Sequence, residues 1–255
     1  MNSIAKKHCQ TRMVGYAHHC FARPMSSPLI VLLLTLLLGI QPVTTDLYLP
    51  ALPDLTSGFG ASTTQAQLTL TALLLAFGAS QLVWGPLSDR FGRRPILLWG
   101  LGLYCTAAVA SALAQSMPQL VLLRAVQGAG MGAAVMGARA MVRDLYAPMD
   151  GARAMSRGLS GLGLIAIVCP PLGGVLAQWF GWRGALGSLG VFGLVTFAVV
   201  ALRYQETLRT PNLQALQWGS MLRNLGTIAR HPTFIAWAAL QTSTYAGLFT
   251  FLGAS

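Results

Sequence analysis

Residues Gly85 to Pro95 read GPLSDRFGRRP. Asp89, Arg90, Arg93 and Arg94 crowd into this one turn. Its flanks are oily, TALLLAFGASQLVW before it and ILLWGLGLYCTAAVA after it. The 255-residue chain is 54% hydrophobic and only 9% charged, where a soluble domain carries about 25% charged residues. Charges this scarce are kept where a hydrophobic chain meets water or where a mechanism needs them.

Several apolar runs reach the roughly 20 residues that cross a bilayer as a helix. They are continuous and do not alternate apolar with polar, which excludes a membrane β-barrel. Helices remain as the way to satisfy every backbone group in lipid. The pattern predicts spans over about 28–45, 64–84, 96–114, 118–140, 158–180 and 185–202, with a seventh starting near Pro232. The organisation is then a tail (1–27), a six-helix bundle (28–202), a linker (203–231) and the start of a seventh helix (232–255). Cys105 and Cys169 fall inside apolar runs and read as small buried hydrophobes. No disulfide framework is legible.

The net charge of +11 is a topology signal. Lys6, Lys7, Arg12 and Arg23 precede the first span. Arg90, Arg93 and Arg94 lie between spans two and three, and Arg143, Arg153 and Arg157 between four and five. Arg203, Arg209, Arg223 and Arg230 follow span six. The opposite side holds Arg183. The positive-inside rule puts the N-terminus and the Asp89–Arg94 turn in the cytoplasm. No compact basic domain exists to bind nucleic acid. The tail carries His8, His18, His19, Cys9 and Cys20, but their spacing matches no standard metal pattern. It reads as a disordered tail, with Met25 as an alternative start of translation. It has no signal-peptide cleavage site. No HExxH, GxSxG or Cys/His nucleophile pair points to an enzyme, and no cofactor is implied.

In the opening stretch, Gly85 and Pro86 are expected to end one helix and Gly92 to permit a tight turn. Asp89 can face the positive N-terminus of a neighbouring helix. Arg93 can pair with a carboxylate from another helix. Arg90 and Arg94 read as topology anchors. Two arginines lie within span four: Arg139 near its end, able to snorkel, and Arg124 about 9 Å deep at 1.5 Å per residue. Such an arginine costs roughly 2.5–3.5 kcal/mol on insertion scales.

The stretch resembles the loop signature of the major facilitator superfamily, G-x-L-[SA]-D-R-x-G-R-[RK]-P, through Gly85, Leu87, Asp89, Arg90, Gly92, Arg93, Arg94 and Pro95. TDLYLPALPDL (Thr45–Leu55) resembles the end of the first helix in the drug:proton antiporters. LLRAVQGAGMGAAVMGARAMVRDLY (Leu122–Tyr146) resembles their fourth-helix motif, with Arg124, Gln127 and Gly128 matching. CPPLGGVLAQWFGWR (Cys169–Arg183) resembles their fifth-helix antiporter motif through Pro170, Gly173 and Gly174. Cys169 stands where a small Gly or Ala is usual. Together these are most similar to the Bcr/CflA (bicyclomycin/chloramphenicol resistance) group.

The resemblance implies an all-α membrane protein of the superfamily fold: a six-helix N-terminal bundle with a truncated second bundle. It implies a multidrug exporter of the bacterial inner membrane, exchanging protons for small, mostly apolar drugs. It also implies that the turn is a conformational latch built from Gly85, Asp89, Arg90, Gly92 and Arg93, with Asp144 as a further acid. The fifth-helix motif would disfavour inward leak. Asp46 is the expected proton-exchanging carboxylate, with Arg124 tuning its charge state; the alternative is that Asp46 starts the outer loop. Tyr48, Gln81, Gln127 and Tyr245 are expected in the substrate cavity. Because the fold needs two halves, this chain alone is not expected to alternate access. It would meet a complementary C-terminal half. A same-fold metabolite exporter and a non-transporting remnant are the alternatives.

Overall fold

The computed structural model describes residues 25–208, 210–212 and 226–254, with 248–254 and Tyr245 described by backbone only. The basic tail 1–24, Arg209 and most of the linker, including Arg223, lie outside the described residues. The described helices are α1 (Ser27–Asp46), α2 (Leu52–Phe59), α3 (Thr63–Phe91), α4 (Arg93–Ala112), α5 (Met117–Leu145), α6 (Pro148–Arg203) and α7 (Pro232–Ala254). A 3₁₀ turn, Leu49–Ala51, joins α1 to α2.

The helix ends have local causes. Pro28 sits in the first turn of α1, where its missing N–H costs nothing. α2 ends at Gly60, whose φ of 60° only glycine adopts freely. α3 starts with a reciprocal capping box, Ser62 Oγ accepting from Gln65 N and Gln65 Oε1 from Ser62 N. The expected stop at Gly85–Pro86 does not occur. α3 runs through Pro86 to Phe91, because an internal proline removes one ladder bond and the residues after it restore the ladder, Gly92 N donating to Ser88 O at 3.1 Å. Gly92, with φ 103°, is then the whole connection to α4.

α6 spans 56 residues. At 1.5 Å per residue it would measure about 84 Å, far beyond the ~30 Å of a hydrocarbon core. It is two rods. Gly181, at φ 65° and ψ −173°, breaks it, leaving arms over 148–180 and 182–203. Among the described residues, five helical segments, α6 among them, are long and apolar enough to cross a membrane. With α6 divided at Gly181, they give six rods.

α5 packs along both α3 and α4; α6 packs along α1 and α4; α1 closes the ring against α5. Small residues decide these contacts. A Cβ on Gly128 would strike the Leu73 carbonyl of α3, and one on Gly130 would lie 2.6 Å from the Gly100 carbonyl of α4. In the first arm of α6, Gly158 meets Leu34, Gly161 meets Thr35, and Gly173 meets the Leu47 carbonyl. In the second arm, Gly193 lies under the Tyr104 ring. Two apolar clusters result. One is built on Leu33, Leu37, Leu97 and Met131, the other on Leu47, Leu55, Leu120 and Leu186.

Replacing Gly128 by Val should therefore abolish or sharply lower the thermal unfolding midpoint of the purified protein, since overpacking costs about 1–3 kcal/mol even where only side chains must move. Gly163, with nothing within 4 Å of its notional Cβ, should accept Val with little change in the same measurement.

Candidate functional site

Two charged clusters stand in this frame, one at each end of α5. The first gathers around Arg93 at the start of α4. Its side chain is 2% exposed. Nη1 meets Asp89 Oδ1 at 2.6 Å, four residues back at the end of α3, and Nε donates to Asp144 Oδ2 of α5 at 2.8 Å. Nη1 also reaches Ser88 Oγ at 3.0 Å. One buried guanidinium thus ties α3, α4 and α5 together. Asp144 is 15% exposed and Asp89 38%. Arg143 approaches both acids loosely, at 3.7 and 3.9 Å.

Asp89, expected to face a helix N-terminus, pairs with Arg93 instead, and its carbonyl accepts from Asn212 N at 2.9 Å. Arg90 stays outside the cluster, exposed, with its guanidinium 5.4 Å from the Phe91 ring centroid. Arg94, read as a topology anchor, donates to the Ala201 carbonyl at 2.8 Å and so serves the last turn of α6. Gly85 and Gln81 line an open groove of about 320 Å³ beside Asp89 and Arg93, shared with Met136 and Arg139.

The second cluster surrounds Arg124, which is fully buried. Nη1 donates to Gln127 Oε1 at 2.8 Å and Nη2 to the Thr44 carbonyl at 3.2 Å. That carbonyl belongs to the last turn of α1, where helical partners run out. The guanidinium also stacks on Tyr48, 4.3 Å from its centroid, a cation–π contact. Tyr48 OH reaches Thr69 Oγ1 of α3 at 2.9 Å, and Tyr104 OH of α4 reaches Thr44 Oγ1 at 2.7 Å. The threonine hydroxyls already donate to the Ala66 and Ile40 carbonyls, so each tyrosine is the donor. Arg124 Nε and Gln127 Nε2 have no acceptor among the described residues.

Tyr48 and Gln127, two expected cavity residues, are thus brought together around Arg124. Gln81 lies in the other cluster, and the side chain of Tyr245 is outside the described residues. Asp46 closes α1 half-buried and accepts from Thr45 Oγ1 at 2.7 Å. No ion pair joins it to Arg124 among the described residues. Cys169 is buried, and Cys105 half-buried. In the antiporter-motif segment, Gly173 makes the close approach to α1, while Pro170 is exposed and Gly174 has open space.

Sequence reading missed Glu206, whose carboxylate meets the start of α4. It also missed Tyr204, buried beside Thr207 at 3.1 Å, with burial pushing its phenol above the ordinary range.

The model of the Major Facilitator Superfamily matches residues 34–254. The chain belongs to the major facilitator superfamily. This is a family of transporters, not enzymes, and its members are multi-pass membrane proteins. The superfamily chain is similar to a chloramphenicol resistance protein of Pseudomonas aeruginosa, 37% identical over 69% of this chain and 42% of that protein. It is also similar to a bicyclomycin resistance protein homolog of Haemophilus influenzae, 28% identical over 90% of this chain and 58% of that protein. It spans about half the length of these curated relatives. Among solved structures, the proton:xylose symporter XylE superposes with a TM-score of 0.63 at 20% identity, covering 77% of this chain and 49% of that one. That likeness speaks for the fold alone.

Removing one member of a buried ion pair costs about 3–5 kcal/mol. Arg93→Ala should lose that much in chemical denaturation of the purified chain. Arg90→Ala should stay within about 0.5 kcal/mol of the parent.

Proposed function

We propose that this chain forms the N-terminal six-helix half of a multidrug exporter that exchanges protons for small, mostly apolar drugs across the bacterial inner membrane. What carries this reading is the buried Arg124, held against the last turn of α1 through the Thr44 carbonyl, in a chain whose relatives are named for chloramphenicol and bicyclomycin resistance. A fully buried cation is expensive in lipid, and neither packing nor topology calls for one at this depth.

Asp46 is the proton-exchanging group. A carboxylate at the end of a membrane helix can gain and lose a proton as its access to water changes. Arg124 acts on it through α1, since it holds the carbonyl of Thr44, two residues before Asp46. Tyr48 and Gln127 are fully buried around Arg124 and hold it in place; the drug path itself is apolar and amphipathic, which suits broad selectivity better than a set of fixed hydrogen bonds. The Arg93 cluster is the latch. Its ion pairs join three helices at one end, and they break or persist as a unit. Asp89 and Arg93 also line a groove open to a partner, the place for a complementary C-terminal half. The basic ends of the helices, with the N-terminus, face the cytoplasm.

Everted vesicles carrying the chain with a complementary six-helix half should take up small apolar antibiotics when a pH gradient is imposed. Asp46→Asn should lower that uptake at least tenfold with unchanged protein levels. Retention of full proton-driven transport by Asp46→Asn would remove Asp46 from the mechanism. A cysteine placed at Arg90 should react with an impermeant maleimide in everted vesicles and be protected in intact cells; the reverse pattern would invert the topology.

A further inference from the structure

The first turn of α4 has an unusual shortage of local partners. Its N-cap is Gly92, which has no side chain to offer as a cap. The third residue is Pro95, which has no N–H. The orphan donors of this turn are therefore the N–H groups of Arg93 and Arg94. Both are met by one carboxylate from far along the chain: Glu206 Oε1 accepts from Arg93 N at 2.9 Å and Oε2 from Arg94 N at 3.0 Å. A negative group at a helix N-terminus also gains from the helix dipole. The approach needs glycine at 92, because a Cβ there would lie 2.7 Å from Oε2.

Glu206 belongs to YQETL (Tyr204–Leu208), just beyond α6, and the segment is fastened at several points. Leu208 N donates to Glu206 Oε1 at 3.0 Å. Thr207 Oγ1 reaches Asp144 Oδ2 at 3.4 Å, the same oxygen that Arg93 Nε uses. Farther on, Asn212 N donates to the Asp89 carbonyl. The segment that Glu206 anchors therefore touches the Asp144 carboxylate of the Arg93 cluster directly, and the chain a few residues on meets the backbone of Asp89.

We propose that Glu206 is a positioning residue of the latch, pinning the segment after α6 to the first turn of α4 and so holding Arg93 between Asp89 and Asp144. The role rests on the latch reading above. It makes the segment leading away from the sixth rod part of the lock. If that segment lifts, α4 loses its cap and Arg93 its seat; while Glu206 stays docked, Arg93 stays buried.

The test uses the full chain in lipid nanodiscs and needs no transport. Hydrogen–deuterium exchange is read over 92–98 and 204–208, and Arg93 is footprinted with phenylglyoxal. Glu206→Ala should speed exchange about tenfold in both segments, the equivalent of a lost cap, and should make Arg93 modifiable. Glu206→Gln keeps one acceptor oxygen, so it should fall between Ala and the parent, and it serves if the Ala variant does not fold. Unchanged exchange at 92–98 would overturn the proposal. So would faster exchange with Arg93 still protected, or a uniform rise that includes the α5 core. Failure of the latch reading itself appears elsewhere, as unimpaired vesicle transport by Arg93→Ala.

Discussion

Backbone-to-backbone approach along α5 is the constraint on which the bundle depends. Hydrophobic burial gives membrane helices no reason to associate, because lipid is as apolar as leucine. Contact must come from shape. Gly128 and Gly132 open one side of α5 to α3, and Gly130 and Gly137 open another to α4. Only with these helices so close can a side chain as short as Asp144 meet a guanidinium from α4, or Tyr48 and Tyr104 converge on one arginine.

The two buried arginines are accommodated by different chemistry. Arg93 has two carboxylates and sits at the edge of the bundle, where water screens part of the arrangement. Arg124 has no carboxylate within ion-pairing distance among the described residues, and depends on an amide oxygen, a helix-end carbonyl and an aromatic face. The first is a structural tie in which Arg93 and the looser Arg143 balance Asp89 and Asp144. The second leaves a cation compensated only by dipoles, with donors to spare. This asymmetry fits the separate roles proposed for them, holding a conformation in one case and responding to a proton in the other.

Much of this was legible in the sequence. Apolar run lengths point to the rods, the scarcity of charge singles out Asp89, Arg93 and Arg124, and the family resemblance adds Asp144. The likeness of four segments to known motifs points to the family. What stayed hidden depends on distance along the chain. Glu206 lies in a basic, aperiodic stretch and reads as a solvated acid, since nothing local shows that its partners are 113 residues earlier. The continuation of α3 through Pro86 was missed because a Gly-Pro pair ordinarily stops a helix. Here a one-residue connection leaves no room for an earlier end. The short α2 was hidden inside a proline-rich segment that looks like loop.

Gly181 has a consequence for biogenesis. With a single residue between two apolar rods, there is no polar stretch long enough to rest in the aqueous exit of an insertion channel while the first rod partitions into lipid. The two arms must enter the bilayer as one hairpin, the earlier finding its place on α1 and the later on α4. Assembly of the sixth rod is thereby tied to that of the fifth.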